Sequence, residues 1–312
     1  MTKESLKHLI KIVFLVLLIS FLVDKIAFVA LNRISDEVMS GQSLGKVNHY
    51  LKIKDDSELI VYGNSRANHH IDPSKITEKG FNMGVNGTRL AYSYGLLKLL
   101  PKEKKQILLI QIDPEHAFSE DYKGEDIELL RSKYNRNKII KTEIKKLNQE
   151  NDLQNFFWTL GYNGKVLGIL KNYFRPNYDY KVYSGYDPIY VTGSQRKILE
   201  NILADDKKEP CPDGLTFNHI YDLELDEIRQ FSQANNKVAI FFTSPRQNDY
   251  CKDDNVKFGR IMNAKEMIYY DLTDYFKEND SIIYWKDPSH LSNIGAEIFT
   301  DAIKDIIERT EK

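Results

Sequence analysis

Residues 106–112 read Gln-Ile-Leu-Leu-Ile-Gln-Ile, apolar at nearly every position. A strand with one wet face alternates apolar and polar side chains, so a run this uniformly apolar belongs inside a parallel sheet covered by helices on both faces. The neighbouring segments fit such a sheet. Residues 58–62 form a short apolar β-type run ending in Gly63-Asn64-Ser65-Arg66, followed by a turn at Asp72-Pro73. Residues 80–83 lead into Gly84-Val85-Asn86-Gly87-Thr88, glycine-rich enough to bring backbone close to a ligand. A helix is expected over 89–100, closed by Pro101. Further along, the pattern predicts a helix over 219–234, a strand over 237–243, a helix over 256–265, a strand over 266–272 and a last helix over 292–311. This alternation predicts an α/β fold, a flavodoxin-like three-layer sandwich whose five parallel strands run in the order 2-1-3-4-5.

The alternation breaks between about 117 and 206. Helical stretches at 127–148 and 153–173, a tyrosine-dense loop at 172–190 and renewed helical character near Gln195 are too much chain for a βα connection. An inserted, mainly helical subdomain over one end of the sheet is expected. The domain reading is therefore an anchor at 1–32, a stalk or connector at 33–57, and a main domain at 58–312 carrying the insertion. A hydrophobic content of 42% supports a proper core. The net charge of −1 supplies no electrostatic footprint for nucleic acid.

The anchor is residues 9–31, mostly Ile, Leu, Val and Phe, interrupted by Lys11, Ser20, Asp24 and Lys25. As a helix this stretch is long enough for a hydrocarbon core of roughly 30 Å. The run at 12–23 matches a signal-peptide core in length, and Ala27-Phe28-Val29-Ala30 comes near a cleavage site. An uncleaved signal-anchor is the favoured expectation. Lys3, Lys7 and Lys11 would then stay cytoplasmic, placing a single-pass protein in the cytoplasmic membrane with its main domain on the extracytoplasmic side. In that compartment Cys211 and Cys251 would form one disulfide, or stay two unrelated thiols.

Chemistry concentrates in two distant stretches. Near the C-terminus Asp287 stands three residues before His290, close enough to orient an imidazole as a general base. Ser65 follows the first strand and is the candidate nucleophile. In doubly wound sheets ligands bind outside the carboxyl ends of the strands. Ser65, Gly87, Asp113 and the Asp287–His290 turn all fall on that rim. The backbone N–H groups of Ser65 and Gly87 are the candidate oxyanion donors.

These blocks resemble the SGNH (GDSL-like) hydrolase family. Gly63-Asn64-Ser65 stands for its Gly-Asp-Ser, the stretch from Asn82 to Gly87 for its second-strand glycine, Gln111-Ile112-Asp113 for its Gly-x-Asn, and Asp287-Pro288-Ser289-His290 for its Asp-x-x-His, with Leu291 and Gly295 also in place. The third block departs from the pattern. Asp113 replaces the asparagine whose amide donates to the oxyanion, so either Asp113 points elsewhere, or Asn86 substitutes as donor, or activity is weak. The membrane-anchored branch that looks like this is similar to alginate O-acetylation proteins and the D-alanyl transfer protein of teichoic acid synthesis. The resemblance implies a Ser65-His290-Asp287 triad acting on acyl groups of an exported or cell-envelope polysaccharide, as an esterase or an O-acyltransferase. The competing expectation is an inactive module that binds a glycan or a membrane-bound O-acyltransferase partner.

Other residues admit blander readings. Arg66 suits an anionic or carbonyl group, or a surface salt bridge. His69 and His70 are adjacent, so their side chains diverge and a shared metal site is not expected. His116 is an alternative base or a hydrogen-bonded rim residue. No metal-ligand spacing stands out, and neither a metal nor another cofactor is expected. The tyrosines at 173, 178, 180, 183, 186 and 190, with Trp158 and Trp285, suit sugar stacking or ordinary packing of the insertion.

Overall fold

A computed structural model describes residues 2–179, 182–205 and 214–311. Cys211 and Tyr180 lie outside the described residues, and with Cys211 the question of its pairing with Cys251. The elements in chain order are α1 (Lys3–Glu37), α2 (Leu44–Ile53), β1 (Leu59–Tyr62), α3 (Ser65–His70), β2 (Gly80–Asn82), α4 (Leu90–Leu97), β3 (Gln106–Gln111) and α5 (Pro114–Ala117). There follow α6 (Lys138–Lys146), α7 (Asp152–Phe156), α8 (Val166–Phe174), α9 (Gly193–Ala204), α10 (His219–Ala234), β4 (Lys237–Thr243), α11 (Asp253–Ala264), β5 (Ile268–Asp271), β6 (Trp285–Asp287), β7 (His290–Leu291) and α12 (Asn293–Thr310). The chain divides into two compact units, Met1–Asn48 with Glu128–Tyr178, and His49–Ile127 with Asp179–Lys312.

The second unit holds the sheet, five parallel strands in the order β2-β1-β3-β4-β5. The central strands β1 and β3 are buried almost throughout, while β5 at the edge is half exposed. Side chains of a strand alternate between faces. Leu59 and Val61, Leu109, Ile240 and Phe242 accordingly pack with Ala67 of α3 and Ile71 just after it, Leu199 of α9, and Phe299, Ile303 and Ile307 of α12. Between them Ile60, Tyr62, Leu108, Ile110 and Phe241 are buried toward the other face, where α10 meets β4 and α11 meets β5. This is the sandwich expected from the apolar run at 106–112. Helix 219–234 and strand 237–243 coincide with α10 and β4.

One element escaped the expectation. The stretch ahead of α12 is a two-stranded antiparallel hairpin, β6 with β7, in which Asp287 pairs with His290 and Trp285 with Leu291. Strands of three and two residues carry too few alternations to show a period of two. Gly295 lets α12 start directly behind this hairpin, because a Cβ there would lie 2.3 Å from the Tyr284 carbonyl oxygen.

The first unit holds α1 and most of the helical insertion. Continuous helices expected over 127–148 and 153–173 are broken into shorter pieces. Asn137 and Asn151 cap α6 and α7 with their side chains, and Phe157 is extended between α7 and a 3-10 turn at Trp158–Tyr162. Asparagine competes with helix continuation by bonding local backbone N–H groups. Helix α1 is long and apolar enough to cross a membrane. Its N-terminal part is exposed throughout, whereas Asp24, Phe28 and Ser35 are buried. Phe28 packs with Tyr162, Ile169, Val38 and Leu44 in this unit's core.

Candidate active site

The site begins with a glycine. Gly63 has φ +138°, and a Cβ there would meet Gln111 and Ala67 below 3.0 Å, so only glycine lets β1 turn into α3 beside β3. Asn64 caps α3, its Oδ1 accepting from the Arg66 N–H at 2.9 Å. Ser65 is thereby the first residue of α3, at the carboxyl end of β1.

His290 reaches the same point from 225 residues away. Its Nε2 lies 2.8 Å from Ser65 Oγ, and its Nδ1 lies 3.0 Å from both Asp287 carboxylate oxygens. An ionised carboxylate only accepts, so Nδ1 donates and Nε2 is left to accept the serine proton. Half-burial by itself raises the Asp287 pKa, but hydrogen bonds from His290 and Ser289 hold it well below the usual carboxylate range. The hairpin is closed by the same carboxylate, whose Oδ1 also accepts from the backbone N–H groups of Ser289 and His290 at 2.9 Å each. One side chain thus shapes the turn and orients the imidazole. Among the described residues, neither the Ser65 nor the Gly87 backbone N–H has an acceptor. Both residues line a cleft of about 310 Å³ with Arg66, Thr88, Arg89, Asp113, Glu115, His116, Arg246 and His290. Gly87 itself has φ +75° and open space where a Cβ would go.

Neither a protein-family model nor a curated protein matches this chain.

Asp113 lines the same cleft, with both carboxylate oxygens bonded to neighbouring side chains. It is buried, its Oδ2 accepts from Asn64 Nδ2 at 2.6 Å, its Oδ1 accepts from Gln111 Nε2 at 2.5 Å, and it pairs with Arg66. Burial alone would raise its pKa, yet the charges of Arg66 and His116 hold it below the ordinary value. The surface salt bridge weighed for Arg66 is corrected, since the guanidinium is only 4% exposed and pairs inside the protein. Arg66 follows Ser65 on a helix whose residues 66–70 are buried, which the tetrapeptide Gly-Asn-Ser-Arg does not encode. Asn86 is oriented by Asn68, whose Nδ2 donates to its Oδ1 at 3.2 Å.

Asp113, Glu115 and His116 place potential ligand atoms within 4.8 Å of one another. Both Asp113 oxygens are already engaged, and Glu115 is bound by Arg246 at 2.5 Å. The cluster therefore reads as an ion-pair network. His116 faces Asp113 at 3.8 Å, and burial lowers its pKa. A larger cavity, about 460 Å³, opens at the opposite ends of the strands between Glu58, Lys104, Gln106 and Lys304. It is the roomier of the two, but its hydroxyl, Thr77, meets only the exposed Glu58 carboxylate at a long 3.5 Å, with no imidazole in the lining, so the chemistry assigns the smaller cleft.

Two supporting residues carry no sequence signal. His70 is completely buried, and its Nε2 accepts the backbone N–H of Leu291 at 3.0 Å, fixing the strand that carries His290. Asn82, also fully buried, donates to the carbonyls of Ala67 and Ile71 at 2.7 Å each and accepts from the Gly84 N–H at 2.8 Å. It ties the end of β2 to α3. His69 and His70 diverge in sequence, and their rings nonetheless stand 6.1 and 6.2 Å from that of His290. His69 Nδ1 sits 2.6 Å from the Asp187 carbonyl oxygen. The aromatic set divides as well. Trp285 is a core residue, Trp158 packs on Phe28, and Tyr186 packs against the sheet, whereas Tyr190 is largely exposed.

Proposed function

We propose that this chain is a membrane-anchored serine esterase or O-acyltransferase of SGNH type, acting on acyl groups of a cell-envelope or exported polysaccharide. The observation that carries this reading is the continuous hydrogen-bonded chain Ser65–His290–Asp287 opening into a cleft. Ser65 Oγ attacks the acyl carbonyl while its proton passes to His290 Nε2. The imidazolium so formed is stabilised by Asp287. The developing oxyanion takes the free N–H groups of Ser65 and Gly87. Collapse expels the sugar alkoxide, which takes the proton from His290 and leaves an ester on Ser65. A second cycle delivers the acyl group to water, as in an esterase, or to a sugar hydroxyl, as in a transferase.

The competing reading, an inactive module that binds a glycan or a membrane-bound O-acyltransferase, rested on a carboxylate beside the oxyanion. The engagement of Asp113 with Arg66, Asn64 and Gln111 favours the enzyme reading over it. Helix α1 supplies the anchor, and Lys3, Lys7 and Lys11 favour a cytoplasmic N-terminus and an extracytoplasmic domain. The test uses the full-length protein in vesicles with a chromogenic acetyl ester and a serine-directed phosphonate. Ester turnover and labelling, both lost in Ser65→Ala, are the expected result. Turnover that survives Ser65→Ala would sink the enzyme reading.

A further inference from the structure

Asp24 and Lys25 interrupt the apolar segment of α1, and the first unit shows what they do. The Asp24 side chain is almost completely buried and accepts from the backbone N–H groups of Trp158 at 2.8 Å and Thr159 at 3.0 Å, and from the Thr159 hydroxyl. Lys25 Nζ donates to the Phe156 carbonyl at 2.5 Å and lies over the rings of Phe21 and Trp158. Phe21 also meets Phe156 ring to ring at 5.2 Å. The charges are thus a docking device that grips α7 and the 3-10 turn after it.

The position of this grip along α1 sets its depth. Residues 9–23 rise about 22 Å at about 1.5 Å per residue, short of a hydrocarbon core of roughly 30 Å. The remaining 8 Å or so must come from the next turns, which are the turns held by α7. There Ile26 and Val29 stay 71% and 61% exposed on one side of α1, while Phe156 and Trp158 cover the other. On α7 itself Leu153 is 60% and Phe156 46% exposed, apolar surface continuous through Phe21 with the bare apolar flank of α1. Aromatic and aliphatic side chains at that level suit the headgroup boundary.

We propose that α7 and the turn at Trp158–Tyr162 form an interfacial collar, with Leu153 and Phe156 immersed at the boundary of headgroups and acyl chains of the phospholipid bilayer that α1 crosses. The collar rests on the reading of α1 as a membrane span, and it gives the first unit a lipid surface as its partner. It fixes α1 by two contacts, a span and a ring of side chains, in place of a single flexible tether.

Depth-resolved quenching tests this on the full chain reconstituted in vesicles of phosphatidylethanolamine and phosphatidylglycerol. Leu153→Trp and Leu15→Trp, both at exposed positions, are each compared with the unsubstituted chain, using lipids that carry a nitroxide near the headgroup or deep in the acyl chain. Emission added at 153 is expected to shift to the blue and to be quenched chiefly by the shallow nitroxide, at a depth of about 5–10 Å. Emission added at 15 is expected to be quenched chiefly by the deep one. If 15 is quenched and 153 is reached by neither lipid, the collar is wrong and the span stands. If 15 is reached by neither, the span reading fails and the collar falls with it.

Discussion

Asp287 and Asp113 stand on the same rim of the sheet, and their surroundings make them different tools. Asp287 lies in a hairpin, about a third exposed, with an imidazole as its neighbour. Asp113 is buried, with a guanidinium and two amides on its oxygens and His116 at 3.8 Å. Both are held ionised below the usual carboxylate range. The first can stabilise a charge that appears on His290 during a reaction cycle. The second is paired to a permanent cation. The charge state is shared, and what separates the roles is that Asp287 holds the imidazole bonded to Ser65, whereas Asp113 holds a guanidinium.

Substitutions can break this contrast. The reference is Ser65→Ala, expected to lower ester turnover on the order of 10⁶-fold, as loss of a triad nucleophile does. Asp287→Asn should follow, with about a 10⁴-fold loss of kcat because the imidazole loses its tautomer and its counter-charge. Fold and melting midpoint should change little, since the amide oxygen still caps the turn. Asp113→Ala should do the reverse. It strands Arg66 in a buried site, which costs about 3–5 kcal/mol by denaturant titration, while kcat per folded molecule stays within about tenfold of the parent, less than one oxyanion donor is worth. An Asp113→Ala protein that folds normally but has lost turnover as completely as Asp287→Asn would erase the distinction.

A smaller effect is expected at His70, which supports the hairpin from behind. His70→Ala leaves the Leu291 N–H without its buried acceptor, a cost of about 1–3 kcal/mol. Smallest is the accompanying change with pH. Burial, with the neighbouring charges of His290 and Arg66, holds the folded His70 pKa well below its ordinary value. The unfolded chain takes up a proton near pH ~6.5 that the folded chain refuses. The stabilisation from a neutral His70 is therefore complete above that pH and declines as pH falls below it. Denaturation midpoints measured from pH 7 down to pH 5 should fall less steeply in His70→Ala than in the parent. An identical slope would show that His70 does not carry this dependence.

Much of the sheet was legible because burial on two faces leaves a strong local mark. The uniform run at 106–112 and the strand at 237–243 needed nothing beyond their own residues. Asp287 and His290 were legible as a pair because a turn keeps them three residues apart. The hairpin that holds them was not, since its strands are shorter than any periodicity. The insertion was legible as helical, and its breaks were hidden because Asn137 and Asn151 serve equally as mid-helix residues or caps until their neighbours are known. Asp24 and Lys25 looked like flaws in an apolar helix, since their partners at Phe156, Trp158 and Thr159 lie more than 130 residues away.

By itself the sequence determined the strand–helix alternation, the parallel sheet that follows from it, an N-terminal helix of membrane-spanning length, and a serine, a histidine and an aspartate on one rim. Those properties follow from hydrophobic periodicity and chain order, which are local. Only the tertiary structure decided that Ser65 Oγ meets His290 Nε2, that Asp113 pairs with Arg66, and that Asp24 grips the turn at Trp158. Each of those is a choice among several hydrogen-bond partners, and a partner is selected by distance and burial, which exist only once the chain is packed.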